Sequence, residues 1–251
     1  RQRQMCIRDS IIIGVNLLAG CGRKAAPQYV IGVSQCSKDF WRDKFNKELQ
    51  MAEYLNDSIQ VKLASSNDDS KLQTRQINQM IDEKVDLLVI APNQLNTISP
   101  AINRAYDKGI PVIIYDRKAN SNKYTAFIGC DNYAIGKSMG EFIAQKLQGK
   151  GRVVEIRGLE GSSPALERHR GFMEAMKKCP GMQVVASEAG DWKEESGKKA
   201  MQRILDKTRD FDYVFSHNDR MGWGAYQVVR DKGLARNYKF TGMDAMATRN
   251  G

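Results

Sequence analysis

The apolar pattern is clearest at residues 108–117, Lys-Gly-Ile-Pro-Val-Ile-Ile-Tyr-Asp-Arg. Gly109 stops a helical stretch, Pro111 opens a new element, and the apolar run ends abruptly at Asp116 and Arg117. A short apolar run bounded by Gly and Pro, without polar alternation, predicts a strand buried on both faces. Such strands belong to parallel sheets covered by helices. In open sheets of that kind, ligands sit outside the carboxyl ends of the strands. Asp116 and Arg117 stand at such an end and present carboxylate acceptors beside a planar donor fork. They read either as a site for a ligand with several hydroxyls or as an ion pair capping the strand.

The same alternation runs through the chain. Strands are predicted at 28–34, 59–64, 85–90, 125–129, 152–156, 182–187, 213–215 and 238–242. Helices are predicted at 40–54, 71–83, 97–107, 133–147, 165–178, 194–207 and 221–232, with 37–39 and 65–69 supplying caps. Strict strand–helix alternation implies right-handed crossovers and parallel sheets. The strands are more than one compact open sheet usually holds. Two α/β lobes are therefore expected, 28–130 and 131–251, preceded by a leader and spacer at 1–27.

Composition narrows the class. The chain has 251 residues, 41% hydrophobic and 27% charged, as in a globular protein. Its net charge of +10 raises the question of nucleic acid. The basic residues are interleaved with acids along helices, as at Lys193-Glu194-Glu195, so they read as solvated faces and no nucleic-acid partner is expected. Cys6, Cys21, Cys36, Cys130 and Cys179 form no CxxC or zinc spacing, and His169 and His217 are the only histidines. No metal site is expected. Residues 11–21 are too short to span a bilayer but fit the end of an export signal. Leu18-Ala19-Gly20-Cys21 resembles the lipobox of bacterial lipoproteins, which implies cleavage before Cys21 and acylation there. Residues 1–10 match no element.

Motifs for catalysis are missing. Gly136-Lys137-Ser138 ends like a phosphate-binding loop, but Asp131 stands where that motif needs Gly, and the segment reads as helix interior. No dinucleotide fingerprint follows the first strand, and the Gly-rich stretch 158–163 lacks a nucleophile elbow. His169 and His217 have no motif-level Ser or Cys partner, so neither is read as catalytic and no cofactor is expected.

Polar and aromatic residues instead recur at strand ends: Ser34 with Phe40 and Trp41, then Asp116 and Arg117, Arg168, Trp192, Asn218 and Asp244. Planar polar groups beside rings suit a sugar, whose hydroxyls donate and accept and whose C–H faces pack on aromatics. Helix capping is the competing reading for Asn218, and core packing for Phe40, Trp41 and Trp192.

Val33-Ser34, Phe40-Trp41, Tyr115-Asp116-Arg117, Glu167-Arg168-x-x-Gly171-Phe172, His217-Asn218-Asp219-x-Met221 and Gly242-x-Asp244 occur in the order seen in ribose-type periplasmic sugar-binding proteins. From about residue 28 onward the chain resembles that family. Through 31–37 and 126–129 it resembles more closely the sugar-sensing domains of Bacteroides-type hybrid two-component regulators. The resemblance implies a two-lobed type I periplasmic-binding-protein fold, each lobe a parallel sheet flanked by helices, closing on a monosaccharide or small glycan piece. It assigns Asp116, Arg117, Arg168, Asn218 and Asp244 to hydroxyls, and Phe40, Trp41 and Trp192 to the ring, with Ser34 contributing. It implies a periplasmic location and a partner that is either a set of ABC transporter membrane subunits or the kinase domains of a sensor, while the lipobox-like stretch implies a lipid anchor as the sole membrane contact. Lys38 stands where ribose-type proteins often place an amide, so pentose specificity does not transfer. The family's last strands are expected beyond residue 251, since the chain stops seven residues after Asp244. Two other readings share the scaffold: the effector core of a LacI-type regulator, which needs a helix-turn-helix ahead of it, and an enzyme.

Overall fold

A computed structural model describes residues 27–245. Its strands form two wholly parallel sheets. The first has the order β2-β1-β3-β4-β5, built from β1 (Tyr29–Gln35), β2 (Ile59–Ser65), β3 (Leu87–Ile90), β4 (Val112–Tyr115) and β5 (Ala126–Ile128). The second has the order β7-β6-β8-β9, from β6 (Lys150–Arg157), β7 (Gly181–Ala189), β8 (Tyr213–Ser216) and β9 (Lys239–Thr241). The helices between them are α1 (Phe40–Tyr54), α2 (Ser70–Asp82), α3 (Ser99–Asp107), α4 (Asn132–Lys146), α5 (Ser163–Lys177), α6 (Glu194–Lys207) and α7 (Asp219–Asp231). No helix among the described residues is long and apolar enough to cross a membrane.

Each sheet is held by its own core. Leu88, Ile90, Val112 and Ile114 pack with Ile77, Ile81, Ile98 and Ile102 of the covering helices. Val154, Ile156 and Val214 pack with Met201, Ile204, Ala225 and Val229. The alternate positions Leu88, Ile90, Val112 and Ile114 fill one face of β3 and β4, whereas Leu87, Val89 and Ile113 on the other face are only partly buried, Val89 and Ile113 reaching the cavity wall. Predicted and observed elements differ by a residue or two at their ends. At β3 the cause is visible: the Asp86 carboxylate accepts the Val30 N–H at 2.7 Å, so the ladder proper begins at Leu87.

Side chains set where helices begin, and the starts of α1, α4, α5 and α7 face the cavity described below. Asp39, Asp69, Asp131 and Asn218 each accept a first-turn N–H, satisfying donors that a helix start leaves open. Helices α4 and α5 approach closely because two glycines face each other's backbone. A Cβ on Gly136 would fall inside the Arg168 carbonyl, and one on Gly171 inside that of Tyr133. Gly136 therefore sits in a helix interior, and its lack of a side chain lets Arg168 approach α4.

Candidate functional site

The carboxyl ends of β3, β4 and β5 face those of β8 and β9, and the starts of α1, α4, α5 and α7 close the sides. Between them lies a cavity of ≈ 470 Å³, within the roughly 300–1,000 Å³ of small-molecule pockets. Trp41, Phe45, Tyr115 and Trp192 give it aromatic walls; Asp39, Arg42, Asp116, Arg117, Arg168, Arg220 and Asp244 give it charge.

The charges from the first sheet form one network. Arg42, 5% exposed, donates to Asp39 and Asp116 at 2.7 Å each. Asp39 also caps α1 and accepts from Ser37 Oγ at 2.7 Å. Burial would raise the Asp39 carboxyl, but Arg42, Ser37 and the capped N–H hold it below its usual range. Arg117, 3% exposed, donates to the Asn93 carbonyl at 3.1 Å. Asn93 is held in turn by Gln73, whose side-chain carbonyl accepts the Asn93 N–H at 2.8 Å.

On the opposite wall, Arg168 donates to Asn132 Oδ1 at 2.9 Å and to the carbonyl of His217, and lies 3.9 Å from Asp244. Two guanidiniums lie over the Trp192 ring, Arg117 at 5.9 Å and Arg168 at 5.5 Å from its centroid. These are cation–π distances that join the two halves of the cleft. The buried Trp192 indole N–H has no partner among the described residues. Asn218 caps α7 through Oδ1, and its amide N–H donates to the Trp192 carbonyl at 3.2 Å. Asn218 thus caps α7 and also stands on the cavity wall. Asp116, Asp191, Trp192 and Asp244 have φ of 60°, 53°, 66° and 95°. This left-handed cluster lies at the cleft, where strained backbone tends to concentrate.

Contacts around the cleft span the two sheets. Lys118 donates its backbone N–H to Ser163 Oγ at 2.7 Å and pairs with Glu167 at 2.7 Å. The Leu95 N–H donates to the Gly161 carbonyl at 2.9 Å, and Lys193 pairs with Asp68 at 2.6 Å.

Below the cavity, Glu155 on β6 is wholly buried. It accepts from His169 Nδ1 at 2.8 Å, His217 Nε2 at 2.9 Å and Ser187 Oγ at 2.7 Å. The Gly158 N–H donates to His217 Nδ1 at 3.3 Å, which fixes the ring proton on Nε2. Burial would raise the Glu155 carboxyl; the two histidine hydrogen bonds overcome it and bring it down to about 2. Both histidines thus serve this buried acceptor. No group of three or more metal-ligating side chains lies together among the described residues.

The cavity brings together Trp41, Asp116, Arg117, Arg168, Trp192, Asn218 and Asp244. Ser34 and Phe40 stand outside its wall. Ser34 is buried, its Oγ 3.3 Å from the Gln73 amide that supports Asn93. Phe40 opens α1 and is 53% exposed. Asp39, Arg42, Phe45, Tyr115, Asn132 and Arg220 line the cavity without having been singled out as ligand contacts. The Asp39–Arg42 spacing, three apart at a helix start facing the strand ends, was a usable signal for the first two. Cys21 lies outside the described residues.

Asp244 carries a pH prediction. Burial raises its carboxyl above the usual 3.8 despite Arg168, and Asp219, Asp116 and Asp39 add to the rise. The folded state then holds this proton more tightly than the unfolded chain, so stability falls as pH rises through the window above 3.8. Asp244→Asn is expected to raise Tm at pH 7, with the gain vanishing at a pH below about 3.8. Paired melts at the two pH values check it, and an equal gain at both would show that the carboxylate's charge is not the cause.

The family model for the periplasmic binding protein domain matches residues 30–249. The galactofuranose-binding protein YtfQ of Escherichia coli K12 is 30% identical over 218 residues, 84% of this chain and 68% of that protein. The ribose import binding protein RbsB of Bacillus subtilis 168 is 32% identical over 175 residues, 70% of this chain and 57% of that protein. Among solved structures, the fructose-binding periplasmic domain of the hybrid two-component system BT1754 aligns with a TM-score of 0.86 and 42% identity, over 89% of this chain and 75% of that one.

Proposed function

From the premise that the chain belongs to the periplasmic binding protein domain family, with its type I α/β fold, we propose that it binds a monosaccharide or small glycan unit in the cleft and closes around it. It is a binding domain and not an enzyme, as its relatives are. The observation that carries the reading is the cavity itself. Acceptors (Asp116, Asp244), planar donors (Arg117, Arg168), an amide (Asn218) and ring faces (Trp41, Trp192) converge there from two sheets. Hydroxyls take bidentate contacts from such groups, and sugar C–H faces pack on the rings. Ser34 acts from behind, through Gln73 and Asn93, on Arg117.

The lobes are residues 28–130 and 131–251. Contacts from both exist together only when the cleft is shut, so ligand shifts the population toward the shut form. The setting is the periplasm, with the chain tethered by acylation at Cys21. The reader of closure is a sensor kinase or a set of transporter membrane subunits. The 42% identity to a sensor domain favours the kinase.

A thermal-shift screen of the full chain against mono- and disaccharides tests this. One sugar is expected to raise Tm in a dose-dependent way, as binding to the folded state alone requires, and Asp116→Ala is expected to abolish the rise. A folded protein indifferent to every sugar would sink the reading.

A further inference from the structure

Four guanidiniums line the cavity against three carboxylates. Three of the four are held by the protein. Arg42 has Asp39 and Asp116, Arg117 has Asn93, and Arg168 has Asn132 and the His217 carbonyl. Arg220 is the exception. It is half-buried on the cavity wall, and its side chain makes no hydrogen bond, ion pair or ring contact with any described residue. It is also the second residue of α7. A cation in a first turn faces the positive end of the helix dipole and is disfavoured there. Neither protein pairing nor helix electrostatics explains a guanidinium at this point, whereas an anion entering the cavity would.

We propose that the ligand is a carbohydrate bearing one anionic oxygen group, a carboxylate or a phosphate monoester, and that Arg220 is the residue that reads it. The inference rests on the sugar-binding reading and narrows it. The planar fork of Arg220 matches two oxygens of either group. The carboxylates of the cavity face guanidiniums that the protein itself holds, so the charge left over is the positive one at Arg220.

Isothermal titration of the full chain with matched trios decides it: a hexose, its uronate and its 6-phosphate, each at low and at physiological ionic strength. One charged member is expected to bind about tenfold or more tighter than its neutral parent, the gain of a charge-assisted pair. That preference should shrink with salt. Whether the uronate or the phosphate is favoured identifies the group. Arg220→Met and Arg220→Gln should each bring the ratio of charged to neutral affinity to about one. A neutral parent that binds as tightly as its charged forms, or a ratio untouched by both variants, overturns the proposal while leaving sugar binding intact. Failure of every member, neutral and charged, overturns both.

Discussion

Glu155→Leu is expected to lower stability by about 3–5 kcal/mol, the usual result of breaking a buried charged network by removing one partner. For a chain of this size that is a fall in Tm on the order of 10 °C. The leucine leaves His217 Nε2, His169 Nδ1 and Ser187 Oγ without the acceptor they share. His217 is wholly buried and has no route to water. The penalty carries a pH signature. The Glu155 carboxyl stands at about 2 against an ordinary 4.5, so its stabilisation is complete above 4.5 and is lost as pH falls through about 2. The Glu155 hydrogen bond raises His169 above its usual 6.5, so that contribution is complete below 6.5 and is lost as pH rises through the raised value. Burial lowers His217 in spite of Glu155, so its neutral ring contributes in the opposite sense, fully above 6.5 and less as pH falls. The destabilisation should therefore be largest between about pH 5 and 6.5. Denaturant titrations of both proteins across that range check it, and a penalty flat from pH 3 to 8 would show that packing alone is at stake.

Arg168→Ala is expected to weaken sugar binding by about a hundredfold or more, with a smaller loss of stability. Truncating one member of a buried, hydrogen-bonded charge set typically costs about 2–5 kcal/mol in binding. Here one side chain joins four segments: Asn132 at the start of α4, the His217 carbonyl after β8, Asp244 after β9 and the Trp192 ring after β7. Without it Asp244 loses its nearby cation and Trp192 one of the two guanidiniums over its ring. Arg168→Lys should recover little, because a point ammonium cannot serve the Asn132 amide and the His217 carbonyl in one plane. Calorimetric titration of the sugar that answers in the thermal screen measures the effect. Affinity preserved in a folded Arg168→Ala protein would place the ligand elsewhere.

The two sheets and their strand ends were legible because buried parallel strands write themselves as short apolar runs, and Asp116 and Arg117 close such a run. The caps at Asp39 and Asp69 were legible for the same local reason, whereas the Asp131 cap was not. What escaped depends on partners far along the chain. Arg42 reads as one more solvated base on an amphipathic helix; it is buried because Asp116, 74 residues away, meets it. Glu155 in Arg152-Val153-Val154-Glu155-Ile156 reads as an outward residue of a strand, yet His217 and His169 come from other segments to enclose it. Ser34 reads as a strand-end ligand, but its side chain points back to Gln73 under α2. Phe40 and Trp41 are adjacent, and successive helical positions diverge by about 100°, so the cleft receives Trp41, Arg42 and Phe45 and not Phe40.

The left-handed backbone at Asp244 sets a conflict for anyone wishing to make this molecule sturdier. Glycine there would relieve roughly 1 kcal/mol or more of backbone strain and remove a carboxylate that burial disfavours. The exchange would also delete an acceptor from the cleft. At Asp116 and Trp192 no such gain is on offer, because glycine would strip buried Arg42 of one of its two carboxylates or leave a void beside the core. Heat tolerance and recognition thus pull apart at Asp244. A library sorted for thermal survival alone would drift toward losing that carboxylate, whereas one sorted in the presence of sugar would keep it in place.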